Sequence, residues 1–74
     1  MKKQFVIYDF SSNLSLASVN EQGVVWDNQP MLFDSKDEAD KCLENAYGLF
    51  PSSFDGRITT IIDVLITEQM MLNK

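Results

Sequence analysis

The chain has no histidine and a single cysteine, Cys42. Without histidine the commonest general base is missing, and neither a Ser-His nor a Cys-His nucleophile pair can form. One cysteine cannot close a disulfide within the chain, and it cannot make a structural zinc site without further ligands. Glycine is scarce and scattered: Gly23, Gly48 and Gly56 stand alone, forming neither a phosphate-binding loop nor a dinucleotide fingerprint. Cations are also few. There are six Lys and Arg against eleven Asp and Glu, and Lys2, Lys3 and Lys74 lie near the ends. Binding a polyanion depends on Lys and Arg neutralising phosphates, so direct contact with DNA or RNA is disfavoured. No stretch reaches the ~20 apolar residues that cross a bilayer, so no membrane partner is expected. Met1-Lys2-Lys3 resembles the opening of a signal peptide, yet Gln4, Asp9, Ser11, Ser12 and Asn13 interrupt the apolar run before an h-region forms. The expectation is a cytoplasmic protein with no cofactor and no metal.

What is present suits one small globular domain over residues 1–74. Apolar residues make up 45% of the chain and aromatics 11%, an ordinary content for a folded protein. A domain this short buries only around 60% of the surface its unfolded chain exposes, so its core is marginal. The net charge of −5 favours solubility and a basic partner surface.

Periodicity gives the elements. Gln4 to Phe10 alternates Val6, Tyr8 and Phe10 with Phe5, Ile7 and Asp9; both faces are largely apolar, which suits a central strand. Leu14 to Val19 and Val24 to Trp26 form a hairpin across Asn20-Glu21-Gln22-Gly23, read as a four-residue connection whose glycine supplies a positive φ. Pro30 ends that part of the sheet, and Met31-Leu32-Phe33 is a short apolar return to the core. Ser35 and Glu38 match a capping box, with Asp37 and Glu38 in the first turn where the helix dipole favours them. Ala39, Cys42, Leu43, Ala46 and Tyr47 follow as one apolar stripe. Asp37 and Lys41 have favourable i,i+4 spacing, and Gly48 is the expected C-terminal cap with Leu49 folding back onto Leu43. In the next loop, at least one of Phe50 and Phe54 is expected to plug the core. From Ile58 to Thr67 eight of ten residues are β-branched, which favours a strand over the helix that Ile58, Ile61, Ile62 and Leu65 would also fit. The fold class is therefore α+β: a small, mostly antiparallel sheet with one amphipathic helix on one face, in the order β-β-β-α-β. One helix cannot cover both faces. The Phe50–Phe54 loop, the Met-rich tail and a second copy of the chain are the candidates for the other.

The candidate functional residues are surface residues. Asp34, Asp37, Glu38, Asp40 and Glu44 cluster in and before the helix but lack the glycine turn of a calcium loop, so a solvated face outweighs a metal site. Asp37, Asp40 and Glu44 are retained as a candidate contact patch. Trp26 is read as hairpin packing or as an exposed partner anchor, because tryptophan is enriched among interface hot spots. Met70 and Met71, with Leu72, form an apolar knot suited to fraying, to docking on the chain's own sheet or to a partner contact. Cys42, on the apolar stripe with no flanking cation, reads as core packing.

The opening strand Gln4-Phe5-Val6-Ile7-Tyr8, the hairpin ending in Trp26, the junction Phe33-Asp34-Ser35-Lys36-Asp37-Glu38-Ala39 and the late β-branched strand together resemble the layout of small phage and prophage accessory proteins. In scale, acidity and lack of catalytic residues the chain resembles anti-CRISPR and other anti-defence inhibitors. That resemblance implies a stoichiometric, non-catalytic inhibitor that docks on a host protein, such as a nucleic-acid-binding defence component, and carries over no family site residue. A homo-oligomeric structural module, such as a homodimer, and an acidic competitor of nucleic acid are the alternatives.

Overall fold

A computed structural model describes residues 2–66 of the chain. Its elements are β1 (Lys2–Asp9), β2 (Leu14–Asn20), β3 (Gly23–Asp27), the helix α1 (Lys36–Leu49), a 3-10 turn (Pro51–Phe54) and β4 (Thr59–Ile66). The four strands form one antiparallel sheet in the order β3-β2-β1-β4, with the helix against it. The β-β-β-α-β order and the α+β class are as the sequence led us to expect, and the β-branched segment is a strand.

β1 is central, and both of its faces are in use: Ile7 is 0% exposed on one and Val6 3% on the other. It pairs with β4 along its whole length, from Lys2↔Ile66 to Asp9↔Thr59. With β2 it shares only Tyr8↔Ser15 and Asp9↔Leu14. Beyond those pairs β2 leaves β1, and the Met31–Phe33 return fills the opening. The Met31 N–H donates to the Leu16 carbonyl at 3.0 Å, and Phe5 and Phe33 exchange backbone hydrogen bonds at 2.8 and 2.9 Å. This short segment therefore satisfies ladder groups on two strands and places Phe33 in the core.

The core joins Ile7 and Leu16 of the sheet to Phe33, to Ala39 and Ala46 of the helix, and to Phe54. The two alanines let the helix backbone approach the sheet closely. Ser35 caps the helix as expected. Its Oγ accepts the Glu38 N–H at 3.2 Å and lies 3.3 Å from Glu38 Oε1.

Three local expectations are corrected. The hairpin turn is tighter than four residues, because Asn20 and Gly23 already pair; Asn20 Oδ1 accepts the Gln22 N–H at 2.8 Å and Gly23 takes φ +137°. The helix runs through Gly48 and Leu49 and is capped at Phe50. The following Pro51 supplies no N–H and disfavours helical geometry before it, so proline rather than glycine sets the end, and Leu49 is exposed. Third, the ion pair on the helix is Lys36–Asp40 at 3.3 Å rather than Asp37–Lys41. Both spacings are solvent-exposed i,i+4 pairs worth about 0.2–0.5 kcal/mol, so little separates them.

The Phe50–Phe54 loop also packs on the helix side, where Phe54 is buried among the core residues. It therefore covers none of the opposite sheet face, where Val6 is nonetheless only 3% exposed, Tyr8, Thr60, Ile62 and Val64 are half-buried, and Phe10 and Ile58 are exposed.

Candidate functional site

Two features stand out: a buried ionic network at one end of the sheet, and the sheet face turned away from the helix.

The network begins with parity. Phe5, Ile7 and Asp9 share the inner face of β1, so the third of them buries a carboxylate; Asp9 is 0% exposed. A buried charge is tolerable only when paired and hydrogen-bonded, and Asp9 is supplied from three directions. Its Oδ1 accepts the backbone N–H of Ser11 at 3.1 Å and of Ile58 at 2.9 Å. The Ser11 hydroxyl lies 2.8 and 2.9 Å from the two carboxylate oxygens. Oδ2 accepts the Ser12 hydroxyl and Arg57 Nη1, both at 2.6 Å. Burial by itself would raise the Asp9 carboxyl; the hydrogen bonds from Ser12, Ser11 and Arg57 outweigh it and hold the group far below the ordinary carboxylate range.

Arg57 is the chain's one arginine. It sits just before β4, and in an antiparallel pair the start of β4 meets the end of β1. Its Nε–H donates to the Ser53 carbonyl at 3.1 Å and its guanidinium lies 4.4 Å from the centre of the Trp26 ring, a cation–π contact. Trp26 in turn meets Phe54 edge-on at 5.5 Å, and Phe54 meets Tyr47 at 5.6 Å. The Trp26 Nε1–H is buried without a hydrogen-bond partner among the described residues. Three members of this stack, Tyr47, Phe54 and Arg57, together with Leu43 and Thr59, line a cavity of about 420 Å³.

Trp26 is thus a half-buried residue on the helix side of the sheet, clamped between Phe54 and Arg57. Asp37 and Glu44 are exposed, and Asp40 is half-exposed and paired with Lys36. These three acids lie on the side of the helix away from Ala39 and Ala46, so the structure does not bring them together with Trp26. Met70 and Met71 lie outside the described residues. Cys42 is a half-buried free thiol whose pKa burial pushes up, as befits a packing residue. Among the described residues no group of three or more potential metal-ligating side chains comes together, and no described helix is long and apolar enough to cross a membrane.

The second feature is the even-numbered face of β1 and β4. Gln4↔Val64, Val6↔Ile62 and Tyr8↔Thr60 are directly opposed, and the Phe10 N–H donates to the Ile58 carbonyl at 2.9 Å, continuing the row. Tyr8 and Phe10 meet edge-on at 5.0 Å, and the Tyr8 hydroxyl donates to Asn13 Oδ1 at 3.0 Å. Asn13 holds φ 60°, a left-handed conformation that asparagine tolerates better than most residues. None of these four cross-strand pairs contains Asp, Glu, Lys or Arg. Phe10 is 54% exposed and Ile58 65%. Val25, on the same face of β3, is also exposed.

Sequence reasoning missed the Asp9–Arg57 network. The signal was available: an aspartate in phase with Phe5 and Ile7 must find a cation, and the one arginine falls at the matching end of the last strand. Fold and site together define a small α+β protein with a four-stranded antiparallel sheet, one covering helix and a buried ionic staple. No protein-family model matches the chain, and no curated protein or solved structure matches it significantly.

Proposed function

We propose that this chain is a non-catalytic protein-binding module that docks through the sheet face opposite the helix. The supporting observation is the row Gln4/Val64, Val6/Ile62, Tyr8/Thr60 and Phe10/Ile58: four successive cross-strand pairs with no Asp, Glu, Lys or Arg, in a chain that is 23% charged. The exposed part of this face is its Phe10/Ile58 end, with Val25 on β3; exposed apolar residues grouped on one face mark interaction sites, and aromatic residues such as Phe10 are enriched at interface cores. The non-catalytic reading is supported by the missing histidine and by the state of Asp9. That carboxylate is surrounded by donors and kept ionised, so it neither gives nor takes a proton near neutral pH.

In the form suggested by the resemblance to anti-defence inhibitors, the partner is a host protein and the action is steric and stoichiometric. An uncharged face recognises by shape and apolar burial, so the partner surface is apolar too and binding is insensitive to salt. Docking by the acidic stripe Asp37, Asp40 and Glu44 would instead weaken with salt.

Affinity capture from a bacterial lysate with four forms of the protein tests this reading. Wild type, Asp40→Lys and Trp26→Ala should retain one specific protein, while the double variant Phe10→Lys/Ile58→Lys should lose it. Retention by the double variant, with loss by Asp40→Lys, would move the interface to the helix. Sedimentation of the wild type alone addresses the structural-module alternative, in which the same face is occupied by a second copy.

A further inference from the structure

Arg57 is oriented more firmly than pairing with Asp9 requires, and its donors are not exhausted. The Ser53 carbonyl, Asp9 and Ser12 take its Nε and Nη1 hydrogens, and Trp26 lies 4.4 Å away. These contacts fix both the position and the plane of the guanidinium. A guanidinium carries five N–H donors, and Nη2 has no partner among the described residues. The same side chain lines the cavity of about 420 Å³, within the range of small-molecule sites. Its other polar walls, Thr59 and Tyr47, carry hydroxyls that can donate, and Leu43 and Phe54 complete it. No acid lines it. A buried ion pair is a weak source of net stability compared with apolar packing of similar volume, and this one includes a residue that keeps unspent donors and lines a cavity.

We infer that this cavity binds a small monocarboxylic acid with a flat apolar body. Its carboxylate is taken by Arg57 Nη2 and the Thr59 hydroxyl, and its body lies against Phe54 and Tyr47. Charge sets the class. Asp9 already offsets Arg57, and the chain carries −5 overall; a single negative charge finds strong donors, whereas a doubly charged phosphate finds no second cation. The site lies on the helix side of the sheet and is independent of the protein-docking face, so either can fail without the other.

Benzoate is the probe. Trp26 is the only tryptophan and lies beneath Arg57, so its fluorescence reports on occupation. Titrating the full chain should give a saturable change with a Kd of about 1 mM. Benzyl alcohol and inorganic phosphate should each bind at least about tenfold more weakly. Thr59→Val and Tyr47→Ala spare the Asp9–Arg57 pair, and each should weaken benzoate by roughly three- to tenfold. A linear, non-saturating response, equal affinity for benzyl alcohol, or benzoate binding unchanged in both variants would overturn the assignment.

Discussion

Replacing Asp9 by asparagine isolates the charge in the buried network while keeping its shape. The amide oxygen can stay in the Oδ1 position, where it still accepts the Ser11 and Ile58 backbone N–H groups. The amide nitrogen then takes the Oδ2 position and confronts Arg57 Nη1, donor against donor. The hydrogen bond to a charged group that is lost there is worth about 1.5–3 kcal/mol. The stranded cation adds to this, but the Arg57 side chain is 25% exposed, so water relieves part of the penalty. The total should fall at about 2–4 kcal/mol, below the upper end of the ~3–5 kcal/mol seen when one partner of a fully buried pair is removed. A domain of 74 residues has about 4–11 kcal/mol to lose. Asp9→Asn should therefore lower Tm by roughly 8–32 °C, at about 4–8 °C per kcal/mol. Thermal and urea unfolding, followed by Trp26 fluorescence and far-ultraviolet circular dichroism, read this directly. The acid limb gives an independent check. The folded carboxyl titrates below its ordinary value of 3.8, so the unfolded chain takes up the proton first. The contribution is complete at neutral pH and is lost progressively as pH falls below 3.8, and Asp9→Asn should flatten that part of the wild-type profile. A variant within about 0.5 kcal/mol of wild type, with an unchanged acid limb, would refute the claim that this pair holds the two strand ends together.

Other substitutions probe the remaining elements. Ser35→Ala should cost about 1 kcal/mol in urea unfolding by removing the helix cap, and Ser35→Gly only a few tenths. Gly48 lies inside the helix with open space where a Cβ would go, so Gly48→Ala should stabilise by up to ~1 kcal/mol. Gly56 holds φ +75°, so Gly56→Ala should destabilise by about 1–2 kcal/mol despite similar room. Phe54→Ala removes the ring between Trp26 and Tyr47 and should cost about 3–5 kcal/mol in the same assay.

The regular elements were legible because their signals are local. The β-branched run marked β4, the Ser35–Glu38 spacing marked the helix start, and the two apolar faces of β1 marked a central strand. The end of the helix was misread because two stop signals compete within four residues; Pro51 prevails over Gly48, since proline removes a donor outright while glycine only permits a turn. The side on which the Phe50–Phe54 turn packs depends on which sheet face the helix takes, a non-local choice. The Asp9–Arg57 pair spans 48 positions, and only the β1–β4 register brings its ends together. Of the candidate surface residues, periodicity placed Asp37, Asp40 and Glu44 correctly on the outer side of the helix. The uncharged strip from Gln4/Val64 to Phe10/Ile58 emerged only once the two strands were aligned, because neither strand alone shows that its neighbour is also free of charge.

The sharpest discrimination comes from the salt dependence of binding to the protein that wild type captures. Raising salt from about 0.05 to about 0.5 M shortens the Debye length from roughly 14 to 4 Å, which weakens docking between charged surfaces and leaves apolar docking nearly untouched. If the Phe10–Ile58 face is the interface, affinity should change by less than about threefold over that range. A fall of about a hundredfold or more, reproduced at low salt by Asp40→Lys, would contradict the proposal and assign binding to the acidic helix.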